Sequence, residues 1–263
     1  MEALRQYREV ADKVVLVSTS LQELPDKLRR STILDHFIPR ENIGYDFCSW
    51  KAALDSIKGI RDFDEVIFSN DSVYGPLWSL KEILTDPRTR DADFWGMAKC
   101  DLHTPHVQSW FFAARSSLIR SDPFERFWRQ VRPLPTKEET IHNYEIGMTT
   151  YFRMCGMKIA ALFDAASTPP PTWTERLRHV SWRWPARSLK HVRKTRPHRG
   201  PFNHSELLWD RLWDAGVPYI KSGIFRHDHY RLSHRVVMRS VEKRFPNWLP
   251  LIREHLREFG ISI

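Results

Sequence analysis

Short apolar runs recur along this chain, most of them followed by a segment with helical spacing. That alternation restricts the fold more than any other feature. The runs are KVVLVSTS (13–20), STILDHFI (31–38), the segment 65–69, DFWGMA (93–98), VQSWFFAA (107–114) and MKIAALF (157–163). Between them the spacing predicts helices over CSWKAALDSI (48–57), WSLKEIL after Pro76, 116–121, 123–131 and roughly 137–155. Strands alternating with helical segments of about ten residues indicate an α/β sheet built of crossover units. At the ends, Leu4–Ala11 and LQELPDKLRR are helical in character, with Pro25 placed for a first turn. NHSELLWDRLWDAG predicts an amphipathic helix, VPYIKSGIF a further strand, and LPLIREHLREFG a helix in a C-terminal tail, 232–263. The whole chain, 1–263, is expected to form one domain, interrupted by a basic, proline-rich insertion at 167–201.

Composition narrows the setting. A hydrophobic content of 41 % with 13 % aromatics is ample for a packed core. Cys48, Cys100 and Cys155 are odd in number and widely spaced, which fits neither a disulfide framework nor a zinc knuckle. A reducing compartment is the simpler reading. The opening MEALRQYREVADK is charged throughout, without the apolar centre of a signal peptide. Apolar runs fall short of the ~18 residues a membrane-spanning helix needs. The expectation is a cytoplasmic protein. Its net charge is +9, yet Glu175 to Gly200 alone holds nine Lys or Arg against one acid. The body is therefore near neutral and lacks a general nucleic-acid footprint.

Four stretches could carry chemistry. In FSNDSVYGPL, a buried strand ends in Ser69, Asn70, Asp71 and Ser72. Ligands of open α/β sheets bind outside the carboxyl ends of strands. Asp71 there is a hard oxygen ligand suited to Mg²⁺ or Mn²⁺, flanked by the neutral Asn70 and Ser72. An Asx-turn that merely ends the strand explains the same residues. In ENIGYDFCSWKAAL, Gly44 permits unusual backbone, and Asp46 with Ser49 could cap the next helix. Alternatively, Asn42 and Asp46 hold a ribose, a base edge or a sugar hydroxyl.

In HTPHVQSWFF, strand periodicity puts His106 and Gln108 on one face, with Val107 and Ser109 on the other. A face carrying His and Gln beside Trp110 suits hydrogen bonding to a sugar, while an exposed strand edge is the plainer reading of His106 alone. His103 is expected in a loop. In HNYEIGMTTYF, Glu145 lies among Ile141, Ile146, Met148 and Phe152. It is either solvated on the outer helix face or set in a cleft as a general base.

Taken in order, NIGYDFCSWKAAL, FSNDSVYGPL, DFWGMA, HVQSWFF, YEIGMTTYF and NHSELLWDRLWDAGVPYIK resemble the rhamnan synthesis protein F family over roughly residues 10 to 226. The resemblance implies a GT-A-type glycosyltransferase: a Rossmann-like mixed sheet flanked by helices, moving rhamnose or another deoxyhexose to a cell-surface polysaccharide. It implies a divalent cation, Mg²⁺ or Mn²⁺, on the donor diphosphate, held here by Asp71 where the family motif usually has two aspartates. By position Asn42, Gly44, Asp46, Asn70 and Ser72 match the donor nucleotide segment, and Lys221 approaches the diphosphate with His227 as a further metal ligand. His106, Gln108, Trp110 and Tyr144 match the sugar and acceptor side, and Glu145 matches the acceptor-activating base. The implied partners are a nucleotide-sugar donor such as thymidine diphosphate-rhamnose and a glycan or lipid-linked glycan acceptor.

Two further classes compete with the enzyme. A catalytically silent sugar-nucleotide-binding module is favoured by the single aspartate and by a first clear strand that starts only at Lys13. A nucleic-acid-binding protein has the basic tract as its support. Within 173–199, Trp173, Trp182 and Trp184 interleave with the cations. Trp with Arg suits the membrane interface, so peripheral docking on anionic inner-leaflet lipid is expected there. A solvated loop explains the tract equally well.

Overall fold

The structure is a computed structural model describing residues 1–101, 104–169, 172, 174, 203–230 and 232–262. Apart from Thr174, the basic tract 173–199 with its three Trp residues, and His103, lie outside the described residues. The chain clusters into two compact units. The first comprises Met1–Asn70, Trp78–Lys99 and Thr104–Leu162; the second comprises Asp71–Leu77, Cys100–His103 and Phe163–Ile263.

In the first unit, β1 (Val15–Ser18) and β2 (His36–Pro39) pair in parallel, joined through a short helix, Asp26–Arg29. The register runs from Val15 opposite His36 to Ser18 opposite Pro39. The larger sheet begins with β3 (Glu65–Ser69), whose bounds match the predicted strand. After β4 (Val73–Tyr74), a strand of the second unit, come β5 (Phe94–Cys100), β6 (His106–Val107), β7 (Phe111–Arg115) and β8 (Ile159–Asp164). The sheet order is β3-β7-β5-β6, with β8 also on β5. β7 is antiparallel to both β3 and β5. The fold is mixed α/β, as the alternation predicts.

Pleating sends alternate residues to opposite faces. Phe68, Phe94, Phe112 and Ala114 meet the helices Tyr45–Ser56, Asp122–Gln130 and Gly147–Met154 in one core cluster. Phe112 lies at its centre, stacked on Phe68 at 4.6 Å and edge-on to Trp50 at 5.2 Å. Phe68 in turn stacks on Trp128 at 5.2 Å. The opposite face carries Trp95 and Phe111, and the Trp95 indole donates to Glu65 Oε1 at 2.7 Å. Burial pushes the Glu65 carboxyl up, against the indole bond that pulls it down. At Gly96 an added Cβ would lie 2.3 Å from Val107 Cγ1 and 2.9 Å from the Phe111 carbonyl, so only glycine fits there.

The expected strand 107–114 is two strands, because the chain turns at 109–110, just after the Gln108 N–H donates to the Ala98 carbonyl at 2.9 Å. The expected helix 137–155 is continuous but not uniform. It runs as α-helix over Lys137–Thr140, widens to a π-helical turn over Ile141–Ile146, and resumes over Gly147–Met154.

In the second unit, β4 pairs antiparallel with β9 (Ile220–Lys221), Val73 opposite Lys221 and Tyr74 opposite Ile220. The strand expected over VPYIKSGIF is cut to those two residues. Ser222 donates its N–H and its hydroxyl to the Ser72 carbonyl, and a short helix, Gly223–Arg226, begins at once. The expected helix NHSELLWDRLWDAG is two pieces, His204–Leu207 and Trp209–Asp214, broken at Leu208. The C-terminal tail forms two helices, His234–Arg244 and Trp248–Glu258, whose Val237, Val241, Ile252 and Leu256 are buried. The Tyr74 hydroxyl meets His255 Nδ1 at 2.9 Å, tying the second of these helices to β4.

Candidate functional site

The first unit assembles a polar cluster around Glu145. The π-helical turn holds Tyr144 and Glu145 side by side and lets them serve different surroundings. Such turns often mark functional sites in helices. Glu145 Oε2 accepts from the Ser109 N–H at 3.1 Å and from the Ser109 hydroxyl, while Oε1 faces His106 Nε2 at 3.3 Å. The His106 side chain is 4 % exposed and that of Glu145 19 %, so the carboxylate stays partly open to solvent.

The ring orientation has a chemical consequence. His106 Nδ1 lies 2.7 Å from the Thr104 carbonyl, which can only accept, so Nδ1 carries a hydrogen. The other ring nitrogen therefore shares its proton economy with Glu145: imidazolium beside carboxylate, or imidazole beside carboxylic acid. The β6 backbone is fixed by the same helix, since Val107 N–H donates to the Thr149 hydroxyl at 3.1 Å.

Ser109 is the residue that strand periodicity hides. It was expected on the face opposite His106, yet the turn at 109–110 swings it to the same carboxylate. Gln108, expected beside His106, instead accepts from the Trp110 indole at 3.0 Å. Trp110 is 2 % exposed and buried in the sheet's end, so its ring offers no platform for a sugar in this arrangement. Tyr144 is buried as well. Its ring packs on Phe47 at 5.3 Å, and its hydroxyl accepts from Arg132 N–H and donates to Arg132 C=O, each at 2.9 Å. Tyr144→Phe is accordingly expected to cost roughly 1 kcal/mol of stability and leave ligand affinities unchanged. A urea melt paired with binding assays checks it; intact stability with weakened acceptor binding would return Tyr144 to the site.

The second grouping of the first unit lies at the start of helix Tyr45–Ser56. Gly44 (φ 79°) and Tyr45 (φ 55°) are consecutive left-handed residues. A Cβ on Gly44 would lie 2.3 Å from Cys48 Sγ, so both conformation and space demand glycine. Burial pushes the Cys48 thiol up, which keeps it a thiol. The helix has no side-chain cap: the capping expected of Asp46 and Ser49 does not form. Asp46 instead accepts from the Asn70 amide at 2.9 Å, joining two of the predicted donor-side residues across the chain. Ser49 accepts from Arg40 at 2.8 Å, and Asn42 is exposed.

In the second unit, the β4–β9 pairing brings Ser72 and Lys221 to neighbouring positions. Asp71 is exposed, and His227 is exposed at the end of the helix Gly223–Arg226. Among the described residues, one set of three groups is placed to share an ion: Cys100, Asp101 and His204. Neither Asp71 nor His227 belongs to it. No described helix is long and apolar enough to cross a membrane.

These features define an α/β protein with a half-sheltered histidine–glutamate pair at the broken end of its central sheet. The chain belongs to the rhamnan synthesis protein F family, whose model matches residues 14–181. It is 26 % identical over 197 residues to virulence protein VirA of Vibrio anguillarum, a match covering 73 % of this chain and 62 % of that protein. It is also 26 % identical over 155 residues to the uncharacterized protein y4gN of Sinorhizobium fredii, covering 57 % of this chain and 40 % of that one. The chain thus spans less than two thirds of the length of these curated relatives. No solved structure matches it.

Proposed function

We propose that this chain is a GT-A-type glycosyltransferase domain that passes a deoxyhexose from a nucleoside-diphosphate donor to a cell-surface polysaccharide acceptor. Membership of a rhamnan synthesis family supports the polysaccharide context, and thymidine diphosphate-rhamnose is the donor to try first. The observation that carries the reading is the cluster of Glu145, His106 and Ser109.

In this reading Glu145 takes the proton of an acceptor hydroxyl as its oxygen attacks the anomeric carbon. The bond from that carbon to the diphosphate oxygen breaks, and the configuration inverts. His106 holds the carboxylate in place through Nε2. Ser109 fixes the other oxygen so that the carboxylate does not rotate away. The family resemblance assigns Lys221 to the diphosphate, whose departing charge a cation would offset. Asn70 and Asp46, already joined, lie on the donor side with Asn42 and Gly44.

The family also implies Mg²⁺ or Mn²⁺. Asp71 supplies one charged oxygen and Ser72 a neutral one, which suits a hard cation that keeps several waters and is completed by substrate phosphates. Among the described residues, neither Asp71 nor His227 belongs to a set of three groups placed to share an ion. Bound there, the cation would neutralise charge on the leaving diphosphate. Donor and cation should then bind jointly.

A thermal-shift panel of nucleotide sugars, run with and without Mg²⁺ or Mn²⁺, tests the reading. One donor is expected to raise the melting temperature selectively, more so with metal. In Asp71→Ala the metal-dependent part of that shift should vanish. An equal metal effect in wild type and variant would remove Asp71 from the donor site, and no response to any donor would overturn the enzyme reading.

A further inference from the structure

Cys100, Asp101 and His204 were not singled out by any local motif, because the histidine lies far along the chain from the other two. The fold of the second unit brings them together, with a sulfur, an oxygen and a nitrogen all within 4.8 Å of one another. We propose that this trio is a binding site for a zinc-class divalent cation, separate from any Mg²⁺ held with a sugar nucleotide.

The donor chemistry is that of a borderline metal. Thiolate and imidazole select zinc-like ions over Mg²⁺, and three protein ligands leave a fourth tetrahedral position for water or a ligand. The distances agree. Bonds of about 2.1 Å in tetrahedral geometry set neighbouring N and O donors about 3.4 Å apart, and His204 Nδ1 lies 3.5 Å from Asp101 Oδ1. Cys100 is 2 % exposed and His204 9 %, whereas the Asp101 side chain is 45 % exposed. Two ligands are thus held by packing, and the third closes the site from solvent.

The histidine is held in place from both sides. Asn203 donates its N–H to the Tyr230 hydroxyl at 2.6 Å. Its side-chain oxygen accepts from Ser205 N–H at 3.1 Å and from the Ser205 hydroxyl at 2.7 Å. The residues before and after His204 are therefore pinned, and little backbone entropy remains to be lost on binding. The plainer reading, an ion pair between His204 and Asp101 beside an inert thiol, makes no use of the sulfur. That difference is measurable.

The test is Co²⁺ titration of the full chain after removal of metal by chelation, followed by Zn²⁺ displacement. One equivalent of Co²⁺ is expected to give a thiolate-to-cobalt charge-transfer band that Zn²⁺ abolishes and excess Mg²⁺ does not. Cys48 and Cys155 are the other free thiols, buried and exposed respectively, and they provide the control. Cys155→Ser should keep the band and Cys100→Ser should lose it. Because Cys100→Ser could disturb the buried strand end, the exposed ligand gives an independent variant. Asp101→Asn should stay folded by circular dichroism and bind Zn²⁺ at least about tenfold more weakly. No band in the wild type, a band that survives Cys100→Ser, or unaltered Zn²⁺ affinity in Asp101→Asn would each overturn the site. The readout is metal uptake, so it stands or falls apart from sugar transfer.

Discussion

Glu145→Gln is expected to lower sugar transfer by on the order of 10²-fold or more while leaving donor affinity unchanged. The amide keeps the shape of the acid and still offers one oxygen to the Ser109 N–H, so the turn at 109–110 should hold. What it cannot do is receive a proton. Alanine would be a poorer test, because removing the carboxylate strands the Ser109 N–H and the His106 ring together and confounds folding with chemistry. The measurement is initial-rate transfer alongside calorimetric donor binding. Wild-type turnover in Glu145→Gln would take the residue out of the mechanism. A joint loss of turnover and donor binding would instead mark Glu145 as part of the framework that shapes the pocket.

Phe112→Ala should produce the largest loss of stability, about 3–5 kcal/mol. Its ring is 1 % exposed and touches Phe68, Trp50 and Phe94, at centroid separations of 4.6, 5.2 and 5.5 Å. Truncation leaves a void between a sheet and its helices that large rigid rings cannot easily close. The check is the urea midpoint of the full-length variant at unchanged slope. A loss under about 1 kcal/mol would mean the aromatic stack does not bear on stability as its geometry requires.

Local pattern made the fold class readable and much of the site unreadable. The strand 65–69 was legible to the residue because an apolar run meets four turn-forming side chains in succession. The helix around Trp50 was legible from its spacing, although its start at Gly44 and Tyr45 is a backbone event that capping rules do not anticipate. VQSWFFAA looked continuous because Trp110 has the bulk and apolarity of a strand residue. The chain instead turns at Ser109 and Trp110, after the Gln108 N–H has bonded the Ala98 carbonyl, and with that turn Ser109 changes sides. The resemblance puts Tyr144 on the sugar side, while in the structure its hydroxyl bonds the Arg132 backbone. His106 and Glu145 were legible as candidates; their pairing, 39 positions apart, required the fold. Cys100, Asp101 and His204 left no local signature.

The π-helical turn at Ile141–Ile146 has a bearing on how relatives of this chain should be compared. A widened turn holds one more residue than the regular coil, and each residue of an α-helix advances about 100° around the axis. Residues beyond the widened turn are then rotated relative to those before it, which changes the side chain presented to a given partner. A relative lacking that extra residue would present a different side chain to His106 even where the flanking letters match. Alignments that slide a gap through this stretch should be judged by whether they keep an acid facing the imidazole, not by how many identities they score.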